Sequence, residues 1–162
     1  MSVKLELITI DKPSDVNIIL GQAHFIKTVE DIYEALIGTV PGIKFAVAFC
    51  EASGKCLVRT QSNDDELKKI VVDNAVKLGC GHSFIIILKN AFPINILNQI
   101  KNIPEVCRIF CATANDVAAI VASSSQGRGI MGVIDGSSPL GVENDDDVKE
   151  RKELLRKFGY KL

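Results

Sequence analysis

The chain predicts an α/β fold with a mixed sheet, and three local patterns carry that expectation. Residues 84–88, Phe-Ile-Ile-Ile-Leu, show no polar alternation, the pattern of a central strand covered on both faces. Upstream, Asn63, Asp64, Asp65 and Glu66 make a capping-box helix start, and Leu67, Ile70, Val71, Ala75 and Leu78 follow at helical spacing. Residues 44–50 and 55–60 read as a β-hairpin around Ser53 and Gly54. Interleaved strands and helices give the α/β class, and hairpins among them make the sheet mixed rather than purely parallel.

The other elements follow in order. Residues 3–10 alternate apolar and charged side chains, as a half-buried strand does, and 11–15 form a turn around Pro13. A short apolar stretch, 17–20, leads to His24. Thr28 can cap the next helix, with Glu30 and Asp31 at its positive end and Val29, Ile32, Leu36 and Ile37 on its apolar side. Gly38 and Pro41-Gly42 end it. Gly79 is the natural stop of the helix that starts over 63–66. Pro93 opens a short helix through Ile100, followed by strands over 106–111 and 116–123. A polar loop over 123–129 leads into a strand over 130–134 and a turn-rich stretch over 135–141. Asn144 caps the last helix, whose buried face is expected to be Val148, Leu154, Leu155 and Phe158.

The bulk numbers set limits. The 162 residues suit one domain, 1–162, with no linker and no internal repeat. With 47% hydrophobic and 24% charged residues the balance is that of an ordinary globular protein. A formal net charge of -1, no tryptophan and no basic run interleaved with aromatics argue against a nucleic-acid partner. Charges interrupt the first residues, Met1 to Leu7, so they do not form a signal peptide. The apolar run at 84–88 is far too short to cross a bilayer. The expectation is a cytoplasmic protein with no membrane partner. Five scattered cysteines make no Cys-x-x-Cys, so neither a disulfide framework nor a redox motif is expected. They read as small buried hydrophobes, although Cys50 and Cys56 could face each other across the hairpin.

Several segments could carry chemistry. Gly127-Arg128-Gly129-Ile130-Met131-Gly132 fits G-x-G-x-x-G, yet Gly136, Ser137, Ser138 and Pro139 follow too soon for the long helix that a dinucleotide fold requires. Kinase signature motifs and a P-loop are absent as well. What remains is a glycine-rich loop whose backbone N–H groups can approach an anion. Arg128 adds a planar cation, and Ser123, Ser124, Ser125 and Gln126 add donors. The same loop can equally be a hairpin with its arginine in solvent. Asp135, at a strand end, can take a proton from a ribose hydroxyl, hold a magnesium ion or cap its own turn. Asp145, Asp146 and Asp147 point in different directions on a helix and complement its dipole rather than bind a metal. No metal ligands are assigned.

The only two histidines both stand at junctions. His82 lies in Gly79-Cys80-Gly81-His82-Ser83-Phe84, between a helix stop and the apolar strand; His24 lies just before a helix. A histidine that accepts a phosphoryl group needs one free ring nitrogen, bound phosphate oxygens and exclusion of water. Gly79 and Gly81 leave the approach to His82 open, and Ser83 adds a hydroxyl. Around His24, Gln22, Lys27, Thr28 and the helix N-terminus could serve the same ends. Each histidine can also be purely structural.

The stretches 21–31 (Gly-Gln-Ala-His-Phe-Ile-Lys-Thr-Val-Glu-Asp), 79–84 (Gly-Cys-Gly-His-Ser-Phe), 111–115 (Cys-Ala-Thr-Ala-Asn) and 127–136 (Gly-Arg-Gly-Ile-Met-Gly-Val-Ile-Asp-Gly) together resemble the adenosine-specific kinase family over nearly the whole chain. The resemblance implies a three-layer α/β/α sandwich and a homo-oligomer. It also implies adenosine or AMP as ligand, and a stably phosphorylated histidine in a phosphotransferase acting on adenosine. A non-catalytic AMP or adenosine sensor is the alternative. The phosphohistidine maps to His82, with His24 as the rival and Asp135 as the third catalytic candidate. Gly81, Ser83, Gln126, Gly127, Arg128 and Gly129 would then lie near phosphate, and Asn115 and Asp135 near ribose or base. No cofactor is certain; magnesium is the candidate.

Overall fold

In the computed structural model, residues 2–162 are described; Met1, the first residue of the N-terminal stretch read above, lies outside them. The chain runs β1 (Lys4–Thr9), β2 (Asn17–Ala23), α1 (Thr28–Ile37), β3 (Lys44–Cys50), β4 (Val58–Ser62), α2 (Asp65–Leu78), β5 (Ser83–Lys89), α3 (Pro93–Lys101), β6 (Val106–Thr113), β7 (Val117–Ser123), β8 (Arg128–Asp135) and α4 (Asp145–Lys157).

The strands form two sheets, ordered β4-β3-β5-β2-β6 and β1-β7-β8. Every strand pairing among the described residues is antiparallel, which corrects the single mixed sheet expected from the interleaved elements. The helices α1, α2 and α3 do join strands that run the same way (β2 and β3, β4 and β5, β5 and β6), but in each case an antiparallel strand lies between the two, so no parallel pair forms. β5 is the central strand, and its residues from Ser83 to Leu88 are buried.

The five-stranded sheet is apolar on both faces. Ile19, Phe45, Val47, Phe49, Phe84 and Ile86 pack under α1 and α3. Ile18, Leu20, Ala46, Ala48, Ile85 and Ile87 pack against α2, and also against Val117, Ala119 and Val121 of the small sheet. The second face is therefore covered partly by a sheet and not by helices alone, which amends the α/β/α arrangement that the resemblance implied. Burying Leu67, Val71 and Leu78 of α2 in this way contributes about 1.5–3 kcal/mol per large side chain.

The helix start expected over 63–66 is present, but not as a capping box: Asp64 is the cap and its side chain accepts the Leu67 N–H, while the Asn63 side chain bonds the Phe45 N–H and the Ile43 carbonyl. Asn144 caps the last helix as expected and accepts the N–H groups of Asp146 and Asp147. Gly79 ends α2 at a φ of 58°. Thr28 is different: its hydroxyl donates to the carbonyl of Phe25 at 2.6 Å, and Lys27 stands at the N-cap without a side-chain bond.

Three further expectations are corrected. Cys50 is buried and pairs with Val58, whereas Cys56 is exposed, so the two do not face each other. β1 turns its charged register inward: Glu6 and Ile8 are half-buried, while Leu5 and Leu7 face out. No residue of α4 is buried, although Val148, Leu154, Leu155 and Phe158 were expected to be its core face. No helix is long and apolar enough to cross a membrane among the described residues.

Candidate functional site

The antiparallel order gathers the end of β2, the end of β3 and the starts of β4, β5 and β6 at one end of the large sheet. α2 stops there on Gly79, and the chain reaches β5 through Cys80, Gly81 and His82. His82 has a φ of 62°, in the left-handed region. A residue with a Cβ pays about 1–3 kcal/mol there and stays only if its surroundings impose it. Two strands impose it: the His82 N–H donates to the Cys50 carbonyl at 2.8 Å, and the His82 carbonyl accepts the Ala23 N–H at 2.9 Å. The half-buried imidazole stacks on Phe49, with ring centroids 5.8 Å apart and planes 23° apart. Among the described residues no carbonyl or carboxylate bonds either ring nitrogen, so stacking on Phe49 orients the ring.

Ser83 is buried, and its hydroxyl donates to the Cys80 carbonyl at 2.7 Å. It fixes the corner rather than facing solvent. Burial pushes the Cys80 thiol up to about 11 and raises the Cys50 thiol as well.

His24 is exposed at the same end, one residue beyond the Ala23 that bonds His82. Its N–H donates to the Glu105 carbonyl at 3.0 Å. Beside it, Lys27 pairs with Asp31 and, at 2.9 Å, with the buried Glu105. These carboxylates raise the Lys27 pKa, and Lys27 holds Glu105 below the usual carboxylate range.

An open cleft of about 910 Å³ lies against this end, lined in part by Cys50, Glu51, Ala52, Gly79, Gly81, Ser123, Ser124, Gln126, Gly127, Arg128 and Gly129. The structure therefore joins Gly81 to the glycine-rich loop across more than forty intervening residues. The loop is a tight turn: the Ser124 N–H donates to the Gly127 carbonyl at 2.9 Å, and the Gln126 N–H to the Ser124 hydroxyl at 3.2 Å.

Arg128 is not free in solvent. One terminal nitrogen donates to Glu6 at 2.8 Å and the other to the Lys77 carbonyl at 3.2 Å, while among the described residues the buried Nε has no partner. Gly79 makes room for it, since a Cβ there would stand 3.2 Å from the guanidinium. Lys4 first, and then Arg128, hold Glu6 below the usual carboxylate range. Sequence reasoning missed Glu6, whose one signal was being the sole acid in an otherwise apolar and basic first strand.

Asn115 and Asp135 are together but elsewhere. The Asn115 amide donates to Asp135 at 3.0 Å, at the far end of β8 from Arg128. Over the length of that strand, at about 3.4 Å per residue, the separation exceeds the length of a nucleoside monophosphate. Neither Asn115 nor Asp135 lines the cleft that Arg128 lines. Among the described residues no three His, Cys, Asp or Glu side chains converge as a metal would require, so no residue is assigned to magnesium.

The family model for adenosine specific kinase matches residues 8–161. The chain belongs to the adenosine-specific kinase family. Membership points to an adenosine-related function and to a small nucleoside as ligand. Among solved structures, this family member is similar to the crystal structure of PH1918 protein from Pyrococcus horikoshii OT3. The two share 48% sequence identity, with 99% of each chain covered and a TM-score of 0.95. No curated protein matches it.

Proposed function

We propose that the cleft between the Gly81 corner and the Gln126–Gly129 turn binds adenosine and AMP, and that His82 carries a phosphoryl group to adenosine. The observation that carries this reading is the backbone of His82. Two strands hold it in a strained conformation beside a cleft-lining glycine, while no described residue bonds either ring nitrogen. Strain of this kind collects at functional sites because packing elsewhere sustains it.

The chemistry runs in two transfers. A neutral imidazole nitrogen attacks phosphorus, a P–N bond forms, and the donor's leaving oxygen departs. An adenosine hydroxyl oxygen then attacks the same phosphorus as the P–N bond breaks, and its proton passes to the freed imidazole. Arg128, whose buried Nε–H has no partner among the described residues, and the Gly127 turn are the cleft-lining groups that can offset phosphate charge. Asn115 and Asp135 take a ribose or base role only if a second copy brings its β8 end to this cleft. His24 is the rival acceptor at the same end of the sheet.

A second reading, an AMP or adenosine sensor without turnover, is favoured by one observation: Arg128 is already engaged by Glu6 and Lys77. Incubating the protein with adenosine and a panel of phosphoryl donors, and following AMP, separates the two. AMP formation supports transfer; tight AMP binding by calorimetry with no AMP formed from any donor supports the sensor.

A further inference from the structure

Lys4, Ser123 and Arg128 form one row across the small sheet. Lys4 pairs with Ser123 in the β1-β7 ladder, and Ser123 pairs with Arg128 in the β7-β8 ladder. Directly opposed residues point their side chains to the same side, with neighbouring Cα atoms about 5 Å apart. Val121, Ala119 and Val117 share the register of Ser123 and are buried in the core, so the row stands on the inner side of the sheet. Ser123, Arg128 and Val3, the neighbour of Lys4, all line the cleft. The register therefore sets an ammonium, a hydroxyl and a guanidinium in line along it.

Two members of the row have unmet hydrogen bonds. Among the described residues, neither the buried Ser123 Oγ nor the buried Arg128 Nε has a partner. Leaving such a group unpaired costs about 1–3 kcal/mol, and few persist in native proteins without a role. Glu6, two residues along from Lys4 on the same side of β1, gives one oxygen to Lys4 at 3.1 Å and the other to Arg128 at 2.8 Å. One carboxylate is thus divided between two cations, and the local charge is positive. The Lys77 carbonyl takes the remaining terminal nitrogen of Arg128, so Nε–H is the donor left over.

We infer that Lys4, Ser123 and Arg128 form an oxyanion subsite of the cleft that takes the oxygens of a phosphate group, with Glu6 as the internal anion that occupies the two cations in its absence. The Ser123 hydroxyl and the Arg128 Nε–H each donate to a phosphate oxygen, and the exposed Lys4 ammonium reaches it from the solvent side on its flexible stem. The subsite rests on the reading of this cleft as a nucleotide site. To that reading it adds Lys4 and Ser123 as the residues that tell a phosphorylated ligand from adenosine. The phosphate of AMP and the phosphoryl group of a donor present the same chemistry to it.

The test is calorimetric titration of inorganic phosphate, AMP and adenosine into the full-length protein, as wild type, Ser123→Ala and Lys4→Gln. Wild type should bind phosphate, Ser123→Ala about tenfold more weakly, and Lys4→Gln about two- to fivefold more weakly. Adenosine affinity should be the same in all three. If phosphate competes with AMP, the subsite holds AMP's own phosphate and AMP affinity falls with it; if phosphate binds beside AMP, the subsite holds the donor's phosphoryl group and AMP affinity is unchanged. Because the Ser123 hydroxyl bonds no described residue, Ser123→Ala should keep the urea midpoint of wild type. A lower midpoint would make the hydroxyl structural and overturn its assignment to a ligand. Equal phosphate affinity in wild type and both variants, as a water trapped between Ser123 and Arg128 would give, would also overturn the subsite. So would adenosine binding without phosphate binding, which leaves the nucleoside cleft standing. Phosphate binding with the expected losses, but with neither adenosine nor AMP bound, would keep the subsite and remove the nucleotide reading instead.

Discussion

Ala23 and His82 share a backbone hydrogen bond of 2.9 Å, donated by the Ala23 N–H, and it places the two histidine-bearing corners side by side. β2 leaves the sheet through His24 where β5 enters through His82, because the two strands are antiparallel. A histidine before its strand is an awkward site in a parallel sheet, where ligands gather at strand carboxyl ends. In an antiparallel sheet, strand starts and strand ends lie at the same edge, and the difficulty disappears.

The strain at His82 is measurable. Both His82→Gly and His82→Ala lose the Phe49 stack, but the Gly variant adopts a φ of 62° freely whereas the Ala variant keeps the penalty. In urea the Gly variant should exceed the Ala variant in stability by about 1 kcal/mol. Equal stabilities would mean that the conformation costs nothing.

Gly21 faces the opposite constraint. A Cβ there would stand 2.6 Å from Cε1 of Phe84 and 2.7 Å from the Arg108 carbonyl oxygen, inside the core beside the histidine corner. Gly21→Ala should cost about 3 kcal/mol in urea unfolding, as overpacking does when backbone must move. A loss below about 1 kcal/mol would show that Phe84 can withdraw.

The Glu6–Arg128 pair should be visible in pH and in binding. Lys4 and Arg128 lower the Glu6 pKa, so its contribution to stability is present above the ordinary carboxylate value and lost as pH falls through the lowered one. Thermal midpoints taken from about pH 5 down to about pH 3 should fall less steeply in Glu6→Gln than in wild type. The same change releases Arg128, so AMP should bind up to about fivefold tighter, the scale of a partly exposed ion pair. Weaker binding would mean that Glu6 positions the guanidinium rather than competes for it.

Thiol labelling should separate the cysteines. Cys56 and Cys107 are exposed, while Cys50, Cys80 and Cys111 are buried, and burial pushes the Cys80 and Cys111 thiols up to about 11. Brief alkylation of the native protein near pH 8, read by mass spectrometry, should add two adducts, with the remaining three appearing only in denaturant. Rapid modification of Cys80 in the native state would indicate that the corner before His82 opens.

Local signals were the legible ones. The helix start near Asn63–Glu66, the Asn144 cap, the Gly79 stop and the all-apolar β5 each depend on a few neighbouring residues, and each stands where its pattern put it. Strand direction is a property of distant pairings, so the antiparallel order could not be read from alternation of elements. The same holds for Arg128, whose partner Glu6 is 122 residues away, and for Asp135, whose distance from Arg128 depends on β8 being one uninterrupted strand. The apolar side of α4 was legible as a pattern. Its lack of cover was not, because periodicity records that a face is apolar and not what it meets.

The most direct measurement of the central claim is acid-labile phosphate on the intact protein. Wild type, His82→Gln and His24→Gln would be incubated with phosphoramidate and with nucleotide donors, then scored for label that is stable to base and lost in acid. Label on wild type and on His24→Gln, with none on His82→Gln, is the expected result. Undiminished label on His82→Gln, or none on wild type with any donor, would contradict the assignment of His82 as the phosphoryl carrier.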